Sequence, residues 1–345
     1  MDPVLVVGSG PAGGAAALAA LAEGAPVRLV ERSRHAKHKV CGEFLSPEAG
    51  HILSSLGAWE ELVRLGPARI RKCRLHFGSR EKSWTLDEPA WGLSRFALDA
   101  FLLAKAAALG AVVSRGESFV LEGPEGETGS IVLATGRKGI ADRPNRLFGF
   151  KAHFEGPADD AIEMFFGRDG YVGVSPVENG WTNVCGIASE SALQRRAFDV
   201  DEYVDAADPL RGRLRPLRRR LGWLMVGPLS FSGIGPPSGS NRVYPAGDAL
   251  GFVDPFTGSG ILNALLTGKM AGASAARGIP SGDYVRACSA LLERPFGISS
   301  LARKILQWDC AYYLAALMPG RLLFRLTRTR AVVRPTAKFE AGISR

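Results

Sequence analysis

Three glycines stand at GxGxxG spacing in Gly8-Ser9-Gly10-Pro11-Ala12-Gly13, directly after the apolar run Val4 to Val7. That arrangement suits a pyrophosphate. Gly8 permits a tight turn, Gly10 lets the backbone approach the phosphates, and Gly13 lets a helix pack closely on the strand. A helix from about Pro11 to Glu23 would offer its free N–H groups and positive dipole end to the anion. Glu31 ends a second apolar run, Val27 to Val30, 18 residues after Gly13, where a carboxylate accepts hydrogen bonds from a ribose. The chemistry is dinucleotide binding. These residues alone do not separate a flavin from a nicotinamide cofactor.

The far end of the chain makes that choice. Arg242 to Ala249 reads as a strand closing on Gly247-Asp248, followed by a turn with Pro255, Gly258 and Gly260 and a helix from about Ile261 to Ala276. This resembles the second FAD fingerprint of the para-hydroxybenzoate hydroxylase and geranylgeranyl reductase superfamily. The resemblance implies FAD, with Asp248 on the ribityl chain and Pro255, Gly258 and Gly260 around the isoalloxazine ring. A helix N-terminus there stabilises negative charge on the reduced ring. Two shorter segments are similar to the same group. Leu93 to Asp99 contains Arg95, at the place of an arginine that often contacts FAD, and Ile131 to Gly136 matches the strand-to-Ala-Thr-Gly turn.

Three features bear on the reaction. Lys39-Val40-Cys41-Gly42-Glu43-Phe44-Leu45-Ser46-Pro47 resembles the Cys-Gly segment that the geranylgeranyl reductases carry near the flavin, which makes Cys41 a candidate catalytic residue. Gly170 to Pro176 is similar to that group's Tyr-x-Trp-x-Phe-Pro segment, with Tyr171 and Pro176 kept, and with Gly173 in place of Trp and Ser175 in place of Phe, changes expected to enlarge or reshape the pocket. Tyr171 is the second candidate, although a strand aromatic is equally at home in a core. The second fingerprint reads Gly-Asp-Ala-Leu-Gly, without the His usual in aromatic hydroxylases, and the Trp-x-Trp-x-Ile-Pro segment of flavin halogenases is absent. The expectation is reduction of a double bond in an apolar, isoprenoid- or polyketide-like substrate by hydride from reduced flavin. A flavin monooxygenase acting on an apolar secondary metabolite is the alternative. A flavoprotein that modifies a partner protein or carrier-bound intermediate is a third reading. With no second nucleotide-binding unit, NAD(P)H is expected only as a transient reductant.

The elements that must position these residues follow from the pattern. The fold expected is α/β: a glutathione-reductase-like, Rossmann-type FAD domain, an antiparallel-sheet substrate domain, and a C-terminal helical region. The FAD domain is discontinuous, over 1–68, 91–140 and 241–280. The substrate domain takes 69–90 and 141–240, with strand-like alternation at Arg69 to Leu86, Gly149 to Phe154, Ala161 to Phe166, Tyr171 to Val174 and Trp181 to Ile187. A charged helix is expected from Ser191 to Arg220, and the helical region spans 281–345. Hydrophobic content of 46% over 345 residues supports substantial cores. The five cysteines are dispersed and lack CxxC spacing, so a reducing compartment and no metal site are expected. The net charge of +9 is partly local, in six arginines between Arg211 and Arg220 and in the tail from Arg321. No nucleic-acid module accompanies it, and no nucleic-acid partner is expected. The chain enters a strand at once, so no signal peptide is expected, and a cytoplasmic protein is. The apolar stretch from Phe296 to Phe324, with basic residues after it, suits a lid over an apolar pocket and peripheral membrane contact.

Overall fold

The computed structural model describes residues 2–120, 129–137, 146–157, 159–235, 240–252 and 258–306. Short apolar runs from both ends of the sequence form one parallel sheet. Its strands are β1 (Val4–Val7), β2 (Val27–Glu31), β6 (Val112–Arg115), β7 (Ser130–Leu133) and β13 (Val243–Pro245), in the order β13-β7-β1-β2-β6. Every pairing is parallel, as in a doubly wound nucleotide-binding sheet.

Helix α1 (Pro11–Ala22) follows β1 and is buried from Pro11 through Ala20. A helix apolar on every side has to be enclosed. Here α4 (Arg95–Ala108) and α8 (Gly260–Arg277) share its core with the sheet. α8 comes close because Gly268 and Gly272 face α1. A Cβ at these positions would lie 2.2 Å from the Ala12 carbonyl oxygen and 2.1 Å from that of Ala16. Sequence positions 11–22 and 260–277 are thereby fixed side by side, which brings both fingerprints to one edge of the sheet. Smaller helices α2 (Pro47–Ser55) and α3 (Trp59–Val63) complete this half.

The second layer is an eight-stranded sheet ordered β12-β8-β11-β10-β9-β4-β5-β3. Its strands are β3 (Phe44–Leu45), β4 (Ala68–Phe77), β5 (Arg80–Gly92), β8 (Leu147–Glu155), β9 (Ala161–Gly167), β10 (Gly170–Pro176), β11 (Trp181–Ser189) and β12 (Arg218–Leu229). All pairs are antiparallel except β4 with β9. Alternation gives the sheet two unlike faces. Phe150, Ala152 and Phe154 of β8 join Val172, Val174 and Val184 in an apolar cluster, covered by Leu193, Val200, Val204, Leu210 and Leu214. The intervening residues Lys151 and His153 stand on the opposite face, in register with Cys185 and Asn183 of β11.

The expected helix from Ser191 to Arg220 is instead three short helices and a strand: α5 (Glu190–Gln194), α6 (Val200–Asp205), α7 (Asp208–Leu214) and then β12. Ala197 and Phe198 adopt positive φ of 48° and 61° between the first two, and the Asp199 carboxylate caps α6 by accepting from Asp201 N and Glu202 N. Pro216 precedes β12, a natural stop. Arg218, Arg219 and Arg220 thus lie on an edge strand, paired with Glu155 and Asp201. Charge on an edge discourages pairing with another chain. The C-terminal helical region begins with α9 (Ser281–Leu306). The rest of the expected lid, and the basic tail, lie outside the described residues.

Replacing Gly268 with Val should cost on the order of 3 kcal/mol, because a side chain would strike α1 backbone that cannot yield. Gly212→Ala in the open should cost nothing, and Ala is the better helix former. Urea unfolding of the two variants checks this pair of outcomes.

Candidate active site at the junction of the two sheets

The dinucleotide residues meet at the C-terminal edge of the parallel sheet. Gly8 follows β1 with φ of +103°, and a Cβ there would lie 2.4 Å from the Ala134 carbonyl oxygen. Gly13 is pressed against this turn, since its Cβ would lie 1.8 Å from Gly8 O. Helix α1 begins with Gly10 as N-cap, without a side-chain cap and without an acidic residue in the first turn. A buried, uncapped helix start calls for an external anion. Glu31 leaves β2 toward this loop. Its Oε2 accepts from Ser9 N (2.9 Å) and Ser9 Oγ (2.8 Å), and its Oε1 from Ser33 N (2.9 Å). Burial pushes this carboxyl up, and the bonds from Ser33 and Ser9 outweigh it and hold it below the usual range.

Arg95 is the first residue of α4 and lies over the glycine loop. Its Nη2 would be 3.3 Å from a Cβ on Gly10. Asp99, one turn on, grips the guanidinium at 2.8 and 3.0 Å and also accepts from Lys39 at 2.8 Å. Gly247 and Asp248 follow β13 at the same edge. The half-buried Asp248 carboxylate makes no hydrogen bond among the described residues. Burial raises its pKa from 3.8, while Arg95 and Arg137 draw it down. An uncapped α1, an arginine over the loop and a carboxylate awaiting a donor are what FAD requires of its pocket, so the residues fit the cofactor. Gly258 and Gly260 stand at the start of α8, with Gly258 at φ of 64°. Pro255 lies outside the described residues.

The Cys41–Glu43 segment crosses from this edge to the polar face of the large sheet. The Cys41 carbonyl accepts from Asn183 Nδ2 at 3.1 Å, and that of Gly42 from Ser175 Oγ at 3.4 Å. Burial pushes the Cys41 thiol up, with Arg95 opposing, so it is held as the neutral thiol. Its sulfur accepts from Glu43 N at 3.4 Å. Tyr171 is on β10, two residues along from Gly173, which sits opposite Cys185. Cys41 and Tyr171 therefore approach the same face. The expected opening at Gly173 is partly filled, since a Cβ there would meet Met164 Sδ at 3.1 Å.

At the centre is a group the sequence reading did not single out. Glu43 is fully buried at φ of 54°. Its Oε1 accepts from Arg95 N (2.7 Å) and pairs with the Lys151 ammonium; its Oε2 meets His153 Nε2 at 2.6 Å. Lys151 and His153 are also fully buried. Burial alone would push the Glu43 carboxyl up, but His153 and Lys151 outweigh it and hold it below the usual range. Glu178, buried nearby, accepts from Ser94 N at 2.7 Å, so two carboxylates meet the start of α4. His38 stacks on Phe96 (5.0 Å) and touches His153 edge-on (5.2 Å). Potential ligand atoms of His38, Glu43 and His153 lie within 4.8 Å of one another, but the carboxylate is already occupied by Lys151, Arg95 and His153. A sequence signal was present: charged residues at alternate positions of β8, between the apolar residues of its other face.

Residues 1–139 match the family model described as an FAD binding domain. A digeranylgeranylglycerophospholipid reductase of Methanosphaera stadtmanae is 27% identical, covering 81% of this chain and 79% of its own length. A menaquinone reductase of Mycolicibacterium smegmatis is 28% identical, over 88% of this chain and 83% of that one. A 6-methylpretetramide 4-monooxygenase of Streptomyces rimosus is 46% identical over 22% of this chain and 17% of its own. Among solved structures, a flavin-dependent brominase variant shares the fold with TM-score 0.81, at 18% identity, over 99% and 98% of the two chains. A geranylgeranyl bacteriochlorophyll reductase-like protein of Thermoplasma acidophilum gives 0.70, at 22% identity, over 96% and 94%. The chain is an FAD-dependent oxidoreductase. Residues 1–139 form its FAD binding domain, and over most of its length it is similar to proteins named as digeranylgeranylglycerophospholipid and menaquinone reductases.

Gly10→Val should abolish FAD retention, because its side chain intrudes beneath Arg95. Asp248→Ala should weaken FAD binding by roughly 10- to 150-fold, the loss of one charge-assisted hydrogen bond of about 1.5–3 kcal/mol. Fluorescence titration of apoprotein with FAD measures both. Unchanged affinity in Asp248→Ala would remove that residue from the cofactor site.

Proposed function

We propose that the chain reduces a carbon–carbon double bond in an apolar, isoprenoid- or polyketide-like molecule. The observation that carries this reading is the seat of the Cys41-Gly42 turn, pinned by Asn183 and Ser175 against the sheet face that also bears Tyr171. Similarity to proteins named as reductases over four-fifths of the chain supports it. Bound FAD, once reduced, supplies the hydride. The protein's own part is to hold the cofactor through Gly8, Gly10, Gly13, Glu31, Arg95, Gly247, Asp248, Pro255, Gly258 and Gly260, and to seat the substrate beside Cys41 and Tyr171. A neutral Cys41 thiol suits contact with an apolar substrate better than nucleophilic attack. NAD(P)H enters as a transient reductant. A lipid-like substrate is compatible with peripheral membrane contact through the C-terminal region, although among the described residues no helix is long and apolar enough to cross a membrane.

A monooxygenase is the second reading, favoured by the local 46% identity to the Streptomyces rimosus enzyme. Oxygen separates the two. The holoprotein is photoreduced without air, then mixed with menaquinone or a digeranylgeranyl glycerophospholipid, or with air and a polyketide. The reductase reading predicts anaerobic reoxidation of the flavin with a more saturated product. Cys41→Ser should change that rate while FAD content stays at the wild-type level. Reoxidation by air alone, with a hydroxylated product, would transfer the chain to the monooxygenases.

A further inference from the structure

Adding hydrogen across a double bond needs a proton as well as a hydride. One carbon receives the hydride, the flavin losing two electrons; the other receives H⁺ from an acid that must later be recharged. The buried group around Glu43 has the form of such an acid. Glu43 Oε2 accepts the Nε2–H of His153 at 2.6 Å, which fixes the ring and leaves Nδ1 as the exchanging nitrogen. That Nδ1 is buried and, among the described residues, has no hydrogen-bond partner; the same holds for Nδ1 of His38. A buried nitrogen left unpaired is costly, and a polar atom brought by substrate or by water would satisfy it. Lys151 holds the carboxylate ionised, so the proton belongs to the imidazole.

We propose that Glu43 and His153 form the proton site of this flavoprotein, with His38 as the route from outside. It takes up a proton as the bound flavin is reduced and releases it to the substrate. The release step rests on the reductase reading; the uptake step does not. The link to the flavin runs through Arg95, whose N–H is held by Glu43 and whose guanidinium lies over Gly10. Other groups facing the pair are Lys151 of β8, Glu178, Cys41, Cys185 of β11 and the Trp181 ring, 5.7 Å from His153. Glu43 is a positioning residue, since it acts through the imidazole.

The test is the midpoint potential of the bound FAD between pH 6 and 9, by dye equilibration, for the wild type, His153→Gln and Glu43→Gln at equal FAD occupancy. The wild-type potential should fall with pH more steeply than that of His153→Gln, by one proton per electron pair over part of the range. Glu43→Gln should move that break to lower pH, because the imidazolium loses its counter-charge. The near-isosteric Glu43→Gln serves if His153→Gln does not fold. Coincident slopes in all three proteins would overturn the proposal. So would a stoichiometric metal ion in the purified protein that His38→Ala removes. Anaerobic alkene reduction by the wild type is scored separately: divergent slopes without it keep the proton site and remove the reductase reading, and coincident slopes with it do the reverse.

Discussion

A carboxylate with no exposure to water ties the start of α4, in the cofactor half, to β8 of the large sheet. Ionised Glu43 is expensive to bury, and its left-handed backbone adds about 1 kcal/mol or more. Both costs are offset because the side chain gathers three donors from two separate parts of the chain: the amide of Arg95, and the ammonium of Lys151 with the ring of His153. The first belongs to α4 in the cofactor half; the other two belong to β8 in the large sheet. The turn carrying Cys41 and Gly42 lies between, and its carbonyls face Asn183 and Ser175. The charge at Glu43 adds to these bonds, and to the grip of Asp99 on the Arg95 guanidinium, in holding the turn on the sheet and Arg95 over the glycine loop.

The cofactor half is set by backbone proximity more than by charge. α1 is composed almost wholly of Ala and Gly, and α8 approaches it through Gly268 and Gly272. Small residues on both helices let chain segments some 250 residues apart share one edge of a parallel sheet. Gly8, Glu31, Thr135 and Asp248 then fall at the ends of neighbouring strands, where such sheets bind their ligands. Asp248, lacking a donor among the described residues, and the uncapped start of α1 leave the polar demands that FAD meets.

What the sequence disclosed depended on whether the signal was local. The strand–glycine loop–helix unit, the strand ending on Gly247-Asp248 and the alternation of β8 to β11 are contiguous patterns, and each forms the element expected. The Glu43 group escaped because its partners lie 108 and 110 residues away, and a single Glu after Cys-Gly has no periodicity to reveal it. The Ser191 to Arg220 stretch misled for the opposite reason. Its charges suit a helix surface, but Asp199 and Pro216 punctuate it, and its last arginines serve an edge strand. Gly173 suggested open space, and Met164, from the neighbouring strand, occupies much of it.

The claim that the buried carboxylate joins the two halves is tested most directly by a double-mutant cycle on Glu43→Gln and Lys151→Met, read by denaturant unfolding of the holoprotein. Each single change strands a buried charge, and the account predicts a loss of about 3–5 kcal/mol for either one. The double variant should lose much less than their sum, with a coupling energy of about 2 kcal/mol or more. Losses that simply add would contradict the account, since the pair would then not be what holds the cofactor domain to the sheet.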